Sequence, residues 1–154
     1  MKNTLRSAVL AMIISGAVGM LSAAVPTPSG TRLERFPTRI AAYIAGLSYA
    51  AANGGALTVT SGTPSMEPLI HGQTYAVVQK RAYASIEKRD LLVYMGRPNA
   101  SKPDRLKMLH RAVMHDRHGW LMSGDNNRWS ESWDRVTPQT YLGTVIALFE
   151  FPQT

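Results

Sequence analysis

Residues 74–95, TYAVVQKRAYASIEKRDLLVYM, decide the expected fold. Two runs within them, 74–79 and 90–95, are rich in β-branched, aromatic and aliphatic residues, which is typical of strands. The same texture recurs on both sides and predicts further strands at 56–60, 106–114, 119–122 and 141–151. Short strands at this spacing in one small domain predict a mainly β fold, a small coiled antiparallel sheet forming a barrel or sandwich.

Two shorter units precede these strands. An uncharged apolar run spans residues 7–25, with Lys2 and Arg6 before it, as in a secretory signal peptide or membrane anchor. Positive charge on that flank favours a cytoplasmic N-terminus, with the rest of the chain outside. We therefore expect an N-terminal apolar helix, either signal peptide or anchor, at 1–25, a juxtamembrane linker with a short apolar helix (40–52) at 26–55, and a β domain at 56–154.

Composition narrows the function classes. A chain of 154 residues with 45% hydrophobic and 18% charged residues has room for one folded domain. It contains no cysteine, which excludes disulfides, thiolate zinc sites and cysteine nucleophiles. The net charge of +7 suits anionic lipid headgroups as well as nucleic acid. Because the basic residues are scattered and do not line one helix, we expect no nucleic-acid partner.

A serine between two prolines is the first candidate for chemistry. In GTPSMEPL, residues 62–69, Pro64 and Pro68 fix backbone angles on either side of Ser65 and would hold its hydroxyl in one orientation. A serine nucleophile also needs a neighbouring base. His110 is the natural candidate, because strand alternation separates it from Leu109 and Arg111; a packing or surface role is the alternative for a single strand histidine.

Further motifs surround these two residues. In chain order they are SMEP (65–68), HGQTYAVV (71–78), KRDLLVY (88–94), LHRAV (109–113), GDNN (124–127) and LGTV (142–145). Together, from about 59 to 151, they resemble the ordered motifs of type I signal peptidases. The resemblance implies a membrane-associated serine endopeptidase, a hydrolase without cofactor, that cleaves signal peptides after small residues in Ala-x-Ala type sites.

The resemblance also implies roles for individual residues. Ser65 is the expected nucleophile. His110 and Arg111 stand where bacterial members commonly have Lys-Arg, so the chain resembles the Ser-His branch typical of archaeal and endoplasmic-reticulum enzymes, with His110 as base. Lys107 is the alternative base. Ideal alternation places Lys107 on the strand face opposite His110, although a bulge would exchange the faces.

The remaining site residues also follow from the resemblance. The backbone N–H of Ser65 and the hydroxyl of Thr63 are the expected oxyanion donors. Asp125 matches a family aspartate that organises the site, although Gly-Asp-Asn is also ordinary turn chemistry. A further acid is expected after this motif: Asp134 fits by residue type and Glu131 by spacing, and the choice stays open.

The expected partners are exported precursor polypeptides and membrane lipid. We expect a single-pass protein with its catalytic domain on the outer, periplasmic or extracytoplasmic face, or a secreted one if residues 1–24 are removed. Self-processing at 22–24, Ser-Ala-Ala, is a further hypothesis. Two alternatives stay open: a dedicated processing peptidase for a phage, plasmid or pilin-type substrate, and a non-catalytic relative that binds exported segments. The histidines at 71, 115 and 118 lack a clear zinc pattern, so no metal is expected.

Overall fold

A computed structural model describes residues 30–97, 106–128 and 135–153. The predicted apolar segment at 1–25 and the candidate acids Glu131 and Asp134 lie outside these ranges. The elements are β1 (Arg32–Arg35), α1 (Arg39–Ala52), β2 (Ala56–Val59), β3 (Thr74–Gln79), β4 (Leu91–Met95), β5 (Lys107–Asp116), β6 (Gly119–Ser123), β7 (Arg135–Val136) and β8 (Tyr141–Glu150). Two short 3₁₀ turns occur at Pro64–Met66 and Tyr83–Ser85.

Seven strands form a curled antiparallel half-barrel in the order β2-β3-β8-β4-β5-β6-β7. The remaining strand, β1, runs parallel to β8, beside the part of β8 that β4 does not reach. Register shifts interrupt three pairings, at Val77/Val78, Val93/Tyr94 and Ala112/Met114. Because such bulges bend a strand and increase its twist, they account for the curl of the sheet.

The prediction of a mainly β fold is confirmed. Each of the six predicted strands is present, with ends that differ from the prediction by at most two residues. Strands β1 and β7 were not predicted. The expectation that the helix of the fold is an N-terminal apolar one is wrong for the described residues, because the helix found there is α1, at the position predicted for the short apolar helix.

Local sequence explains where α1 begins and ends. The Thr38 hydroxyl caps its first turn by accepting a hydrogen bond from the backbone N–H of Ala41 at 3.1 Å. Beyond its end, Gly54 adopts a left-handed conformation, with φ at 62°, that stops the helix. Within the described residues, no helix is both long enough and apolar enough to span a membrane.

Small residues let α1 lie close to the sheet. Ala42, Gly46 and Ala50 are buried on its inner face, against strands β2, β3 and β8. A Cβ at Gly46 would lie 2.7 Å from a terminal methyl of Leu57, so the glycine permits this close approach. The helix therefore covers the end of the sheet that carries β2.

Two hydrophobic clusters position the candidate site. Met66 and Ile70, from the segment that carries Ser65, are buried in one cluster. Tyr94 is fully buried in the other. Full burial of a side chain such as Met or Ile contributes roughly 1.5–3 kcal/mol, so each cluster fixes the segment that enters it. The candidate site lies where residues from both clusters meet.

Candidate active site

The structure brings the predicted nucleophile and the predicted base together. The Ser65 hydroxyl oxygen lies 3.3 Å from Nε2 of His110, although 45 residues separate them in sequence. Ser65 is in the 3₁₀ turn that follows β2, and His110 is in the middle of β5. The His110 side chain is buried, with 5% exposed. A general base must lie within hydrogen-bond distance of the proton it removes, or reach it through one water molecule. The Ser65–His110 pair meets this requirement at the long end of the direct range.

Strand pairing orients His110. On β4, Leu92 is the partner of His110, and Tyr94 is two residues further along on the same face. The Tyr94 hydroxyl lies 3.1 Å from Nδ1 of His110, on the side of the ring away from Ser65. If Nδ1 carries the proton and donates it to the Tyr94 oxygen, Nε2 keeps a lone pair for Ser65. Tyr94 is therefore placed to accept the Nδ1 proton in the tautomer that a base needs.

Sequence reasoning missed Tyr94. It lies in a predicted strand and ends the KRDLLVY motif, but neither pattern assigns it a role at the site. Its contact with His110 depends on the register between β4 and β5, which a strand pattern alone does not give. An aromatic hydroxyl residue in a strand next to the strand of a candidate base is the signal that could have identified it.

Thr63 lies beside the nucleophile. Its hydroxyl oxygen is 3.3 Å from the Ser65 hydroxyl oxygen, and either group could be the donor. The predicted oxyanion residue is therefore within reach of the position where a carbonyl attacked by Ser65 would develop charge. Pro64, between the two, has no backbone N–H and so cannot be a backbone donor here.

The turn at 124–127 holds the backbone of Ser65. The Asn126 backbone N–H donates to the Ser65 carbonyl at 3.0 Å, and its side-chain amide donates to the Pro64 carbonyl at 3.1 Å. A Cβ at Gly124 would lie 2.5 Å from the Ser65 carbonyl oxygen, so only glycine allows this approach. The Gly-Asp-Asn motif thus contacts the nucleophile segment through its glycine and its first asparagine.

Asp125, the predicted site aspartate, lies against Arg111. Its two carboxylate oxygens accept hydrogen bonds from Arg111 at 2.6 Å and 2.7 Å, and Arg111 also donates to the Arg89 carbonyl at 2.9 Å. Arg111 follows His110 on β5, so its side chain is on the opposite face of that strand. Asp125 therefore lies in the turn that holds Ser65 and pairs with Arg111 on the face of β5 opposite His110.

Lys107, the alternative base, is the exposed first residue of β5. Residues 107–111 of β5 pair with β4 without a register shift, and the irregularity of β5 falls later, between Ala112 and Met114. The bulge that would have exchanged the faces is therefore not present between Lys107 and His110. Lys107 nevertheless lines the same groove as Ser65 and His110, and it is His110 that contacts the Ser65 hydroxyl.

A groove runs past the Ser65–His110 pair. Its volume is about 600 Å³, and its walls come from β2, the Ser65 turn, the middle of β4 and the beginning of β5. The lining is largely apolar, with Val59, Met66, Val93 and Leu109 among the contributors. A groove of this size and character suits an extended peptide segment with small apolar side chains.

Two of the other histidines, His115 and His118, contact residues outside this pair. His115 packs against Trp120 and Tyr83, with ring centroids at 5.1 Å and 6.2 Å. His118 accepts a hydrogen bond from Arg117 in the β5–β6 turn. Among the residues that the structure describes, no group of three or more His, Cys, Asp or Glu is arranged to hold a metal ion.

Comparison with known proteins adds no assignment. No family model matches the chain, and neither the curated proteins nor the solved structures contain a match to it. The features that bear on function are therefore the Ser65–His110 pair, its supporting contacts and the groove beside it.

Proposed function

We propose that the protein is a serine endopeptidase of the signal-peptidase type. In this proposal Ser65 is the nucleophile, His110 is the general base, and the substrates are exported precursors with small residues before the cut. The carrying observation is the 3.3 Å contact between the Ser65 hydroxyl and Nε2 of His110 beside an apolar groove. We also propose that the fold is a signal-peptidase β domain that follows an N-terminal apolar anchor.

The proposed reaction is acyl transfer through two tetrahedral intermediates. Nε2 of His110 accepts the Ser65 proton as the hydroxyl oxygen attacks the peptide carbonyl, and it then gives that proton to the departing amine. Water hydrolyses the ester in the second half, with His110 again accepting and returning a proton. The Ser65 backbone N–H and the Thr63 hydroxyl are the proposed donors to the oxyanion.

Tyr94 supports this scheme by its position behind the base. When His110 gains a proton at Nε2, the imidazolium remains hydrogen-bonded through Nδ1 to the tyrosine oxygen at 3.1 Å. The 3.3 Å separation on the other side is at the long end of a hydrogen bond, and such contacts tighten when substrate binds. General base catalysis by a positioned side chain is worth about 10²–10⁴-fold.

The position of an edge strand beside the groove is consistent with a peptide substrate. β2 is the end strand of the antiparallel path, and Thr58, Val59 and Thr60 line the groove. An extended peptide laid beside an edge strand gains main-chain hydrogen bonds irrespective of its sequence, while pockets select its side chains. We propose that small residues ahead of the cut face the apolar wall formed by Met66 and Val93.

The test is cleavage of a synthetic Ala-x-Ala peptide by the full chain in detergent. We expect Ser65→Ala and His110→Ala each to lower kcat/KM by about 10³-fold or more, because nucleophile and base act as one unit. Lys107→Ala should retain activity. His115→Ala is the matched control, since it removes an imidazole that packs on Trp120.

Three outcomes would overturn the assignment. Retained cleavage in Ser65→Ala would show that another group is the nucleophile. Loss of cleavage in Lys107→Ala, with retention in His110→Ala, would transfer the role of base to the lysine. Tight peptide binding without any cleavage by the unaltered chain would identify a binding protein and end the protease proposal.

A further inference from the structure

The outward face of α1 is apolar. Ile40, Tyr43, Ile44 and Leu47 are 72%, 45%, 58% and 44% exposed, and their spacing places them in one stripe along the helix. A helix on the surface of a soluble domain normally carries charged and polar residues on this face. α1 has no acidic residue in its sequence, and its basic residue, Arg39, is at its first position.

The inward face of α1 is already occupied by packing on the sheet. Ala42, Gly46 and Ala50 are buried there, and Tyr49 packs against Phe149 with ring centroids 5.8 Å apart. The outer stripe is therefore a second apolar face, which touches the fold at Tyr43, whose ring packs against Tyr75 with centroids 5.5 Å apart. A helix that is apolar on both faces is typical of one lying between protein and another apolar phase.

Two arginines near the ends of the helix contact neutral groups. At the start of α1, Arg39 donates to the Tyr75 hydroxyl at 3.1 Å and its guanidinium lies over the Phe151 ring. Near the other end, Arg81 donates to Gln79, whose amide in turn donates to the carbonyl of Asn53, the residue that caps α1. These partners are all neutral.

Other arginines of the domain are paired with carboxylates. Arg35, Arg111 and Arg135 each form an ion pair with a carboxylate. The carboxylates neutralise the charge of these three arginines. The neutral partners of Arg39 and Arg81 leave the positive charge at the two ends of α1 uncompensated by these contacts. An apolar stripe between cationic groups is complementary to a bilayer surface that carries anionic headgroups above acyl chains.

We propose that the apolar stripe of α1, Ile40, Tyr43, Ile44 and Leu47, lies on an anionic lipid surface, with Arg39 and Arg81 at headgroup level. This inference rests on the proposed membrane attachment through residues 1–25. The six residues at 26–31 reach at most about 22 Å when fully extended, so an apolar anchor ending at 25 would hold β1 near the bilayer. α1 follows β1 directly in the chain.

This placement would also orient the groove. β2 contacts α1 through Leu57, whose methyl lies against Gly46, and the neighbouring residues Thr58 and Val59 line the groove. The groove therefore begins at a strand on which the inner face of α1 packs. A precursor segment leaving the bilayer would meet the Ser65–His110 pair close to the headgroups.

The test uses the absence of cysteine from the chain. In the full chain carrying Ser65→Ala, which blocks any self-processing, a single cysteine is placed at Ser48→Cys on the outer face of α1 or at Arg117→Cys in the β5–β6 turn. Each is labelled with a fluorophore sensitive to polarity. The labelled proteins are reconstituted in vesicles of phosphatidylglycerol and phosphatidylcholine, with and without spin-labelled acyl chains as quenchers.

We expect a blue shift and lipid quenching of the label at position 48 and neither change at position 117. Combining Ser48→Cys with Ile40→Gln and Ile44→Gln should abolish the quenching, because both isoleucines are largely exposed and glutamine keeps the helix. The matched control is Met114→Gln, which removes an apolar side chain that is 50% exposed on β5. It should leave the quenching unchanged.

Several results would overturn the proposal. An unquenched label at 48 would show that the stripe does not touch lipid, and a blue shift without lipid quenching would mean that a second copy of the chain covers it. Equal quenching at 48 and 117 would indicate unspecific adsorption. Equal quenching in phosphatidylcholine alone would remove the role of Arg39 and Arg81. Since every sample carries Ser65→Ala, these results are independent of whether the unaltered chain cleaves peptide.

Discussion

Replacing Gly124 by alanine tests whether the 124–127 turn sets the position of the nucleophile. The new Cβ would lie 2.5 Å from the Ser65 carbonyl oxygen and 2.7 Å from the Asn127 amide nitrogen. An ordinary carbon–oxygen contact is about 3.3 Å, so the methyl and the carbonyl must separate by roughly 0.8 Å. The Asn127 side chain can rotate away, but the carbonyl belongs to the backbone and moves together with Ser65.

The expected loss follows from the geometry of the pair. The Ser65 hydroxyl is already 3.3 Å from Nε2 of His110, at the long end of a hydrogen bond, so a shift that lengthens this distance leaves the base out of contact. Misplacement of about 1 Å can cost about 10²-fold in rate. We therefore expect kcat/KM of Gly124→Ala on an Ala-x-Ala peptide to fall about 10- to 100-fold, with the domain still folded.

Gly46→Ala is the matched control. A Cβ there would be as crowded, at 2.7 Å, but it meets the end of the Leu57 side chain, which can turn away. Circular dichroism and thermal unfolding of both variants would separate a folding defect from a rate defect. A folded Gly124→Ala variant with the kcat/KM of the unaltered protein would refute the reasoning that this turn positions Ser65.

Two further predictions address other contacts. Tyr94→Phe removes the hydroxyl behind His110 and should lower kcat about tenfold with little change in KM, since Tyr94 is buried behind the base; a raised KM with unchanged kcat would contradict this. The pKa of Asp116 is lowered by its hydrogen bond to Arg135 and by the His118 N–H, so its contribution to stability is present above the ordinary carboxyl value of 3.8 and is lost as pH falls through the lowered value. Asp116→Asn should therefore be less stable than the unaltered chain in urea near neutral pH, and the gap should close in acid; a gap independent of pH would contradict this.

The strands that sequence predicts best are those whose residue types match a half-buried pleated surface. β3, TYAVVQ, is predicted at its observed bounds, because β-branched and aromatic residues stand between polar segments. α1 is predicted for a similar reason, since its alanine-rich run ends at an Asn-Gly turn. Local composition decides both elements, and tertiary contacts add little to the prediction.

The elements that sequence misses depend on a partner distant in the chain. β1, RLER, has three charged residues of four and resembles a linker, yet it forms a strand because it pairs with β8, with Leu33 buried and Arg35 bound to Glu150. β7 has two residues and pairs with β6. Neither segment has the alternation of apolar and polar residues over several positions that distinguishes a strand from a loop.

In the candidate site, too, several of the residues can be predicted from sequence but their contacts cannot. Ser65 and His110 were selected from motif order, and their 3.3 Å contact is a property of the fold that strand patterns alone do not give. The bond between Asp125 and Arg111, and that between Tyr94 and His110, require the register of β5 against its two neighbours. A shift of one residue would exchange the faces of β5 and separate each pair.

One strand, β4, connects the two halves of the site. Its Leu91 and Val93 side chains enter the cluster that contains Met66, next to the nucleophile. Its Leu92 and Tyr94 enter the other cluster, on the side of the base. Since successive strand residues point to opposite faces, a short rigid strand fixes one cluster relative to the other. The distance between serine and histidine is therefore determined by how β4 packs on both of its faces, and not by the two side chains alone.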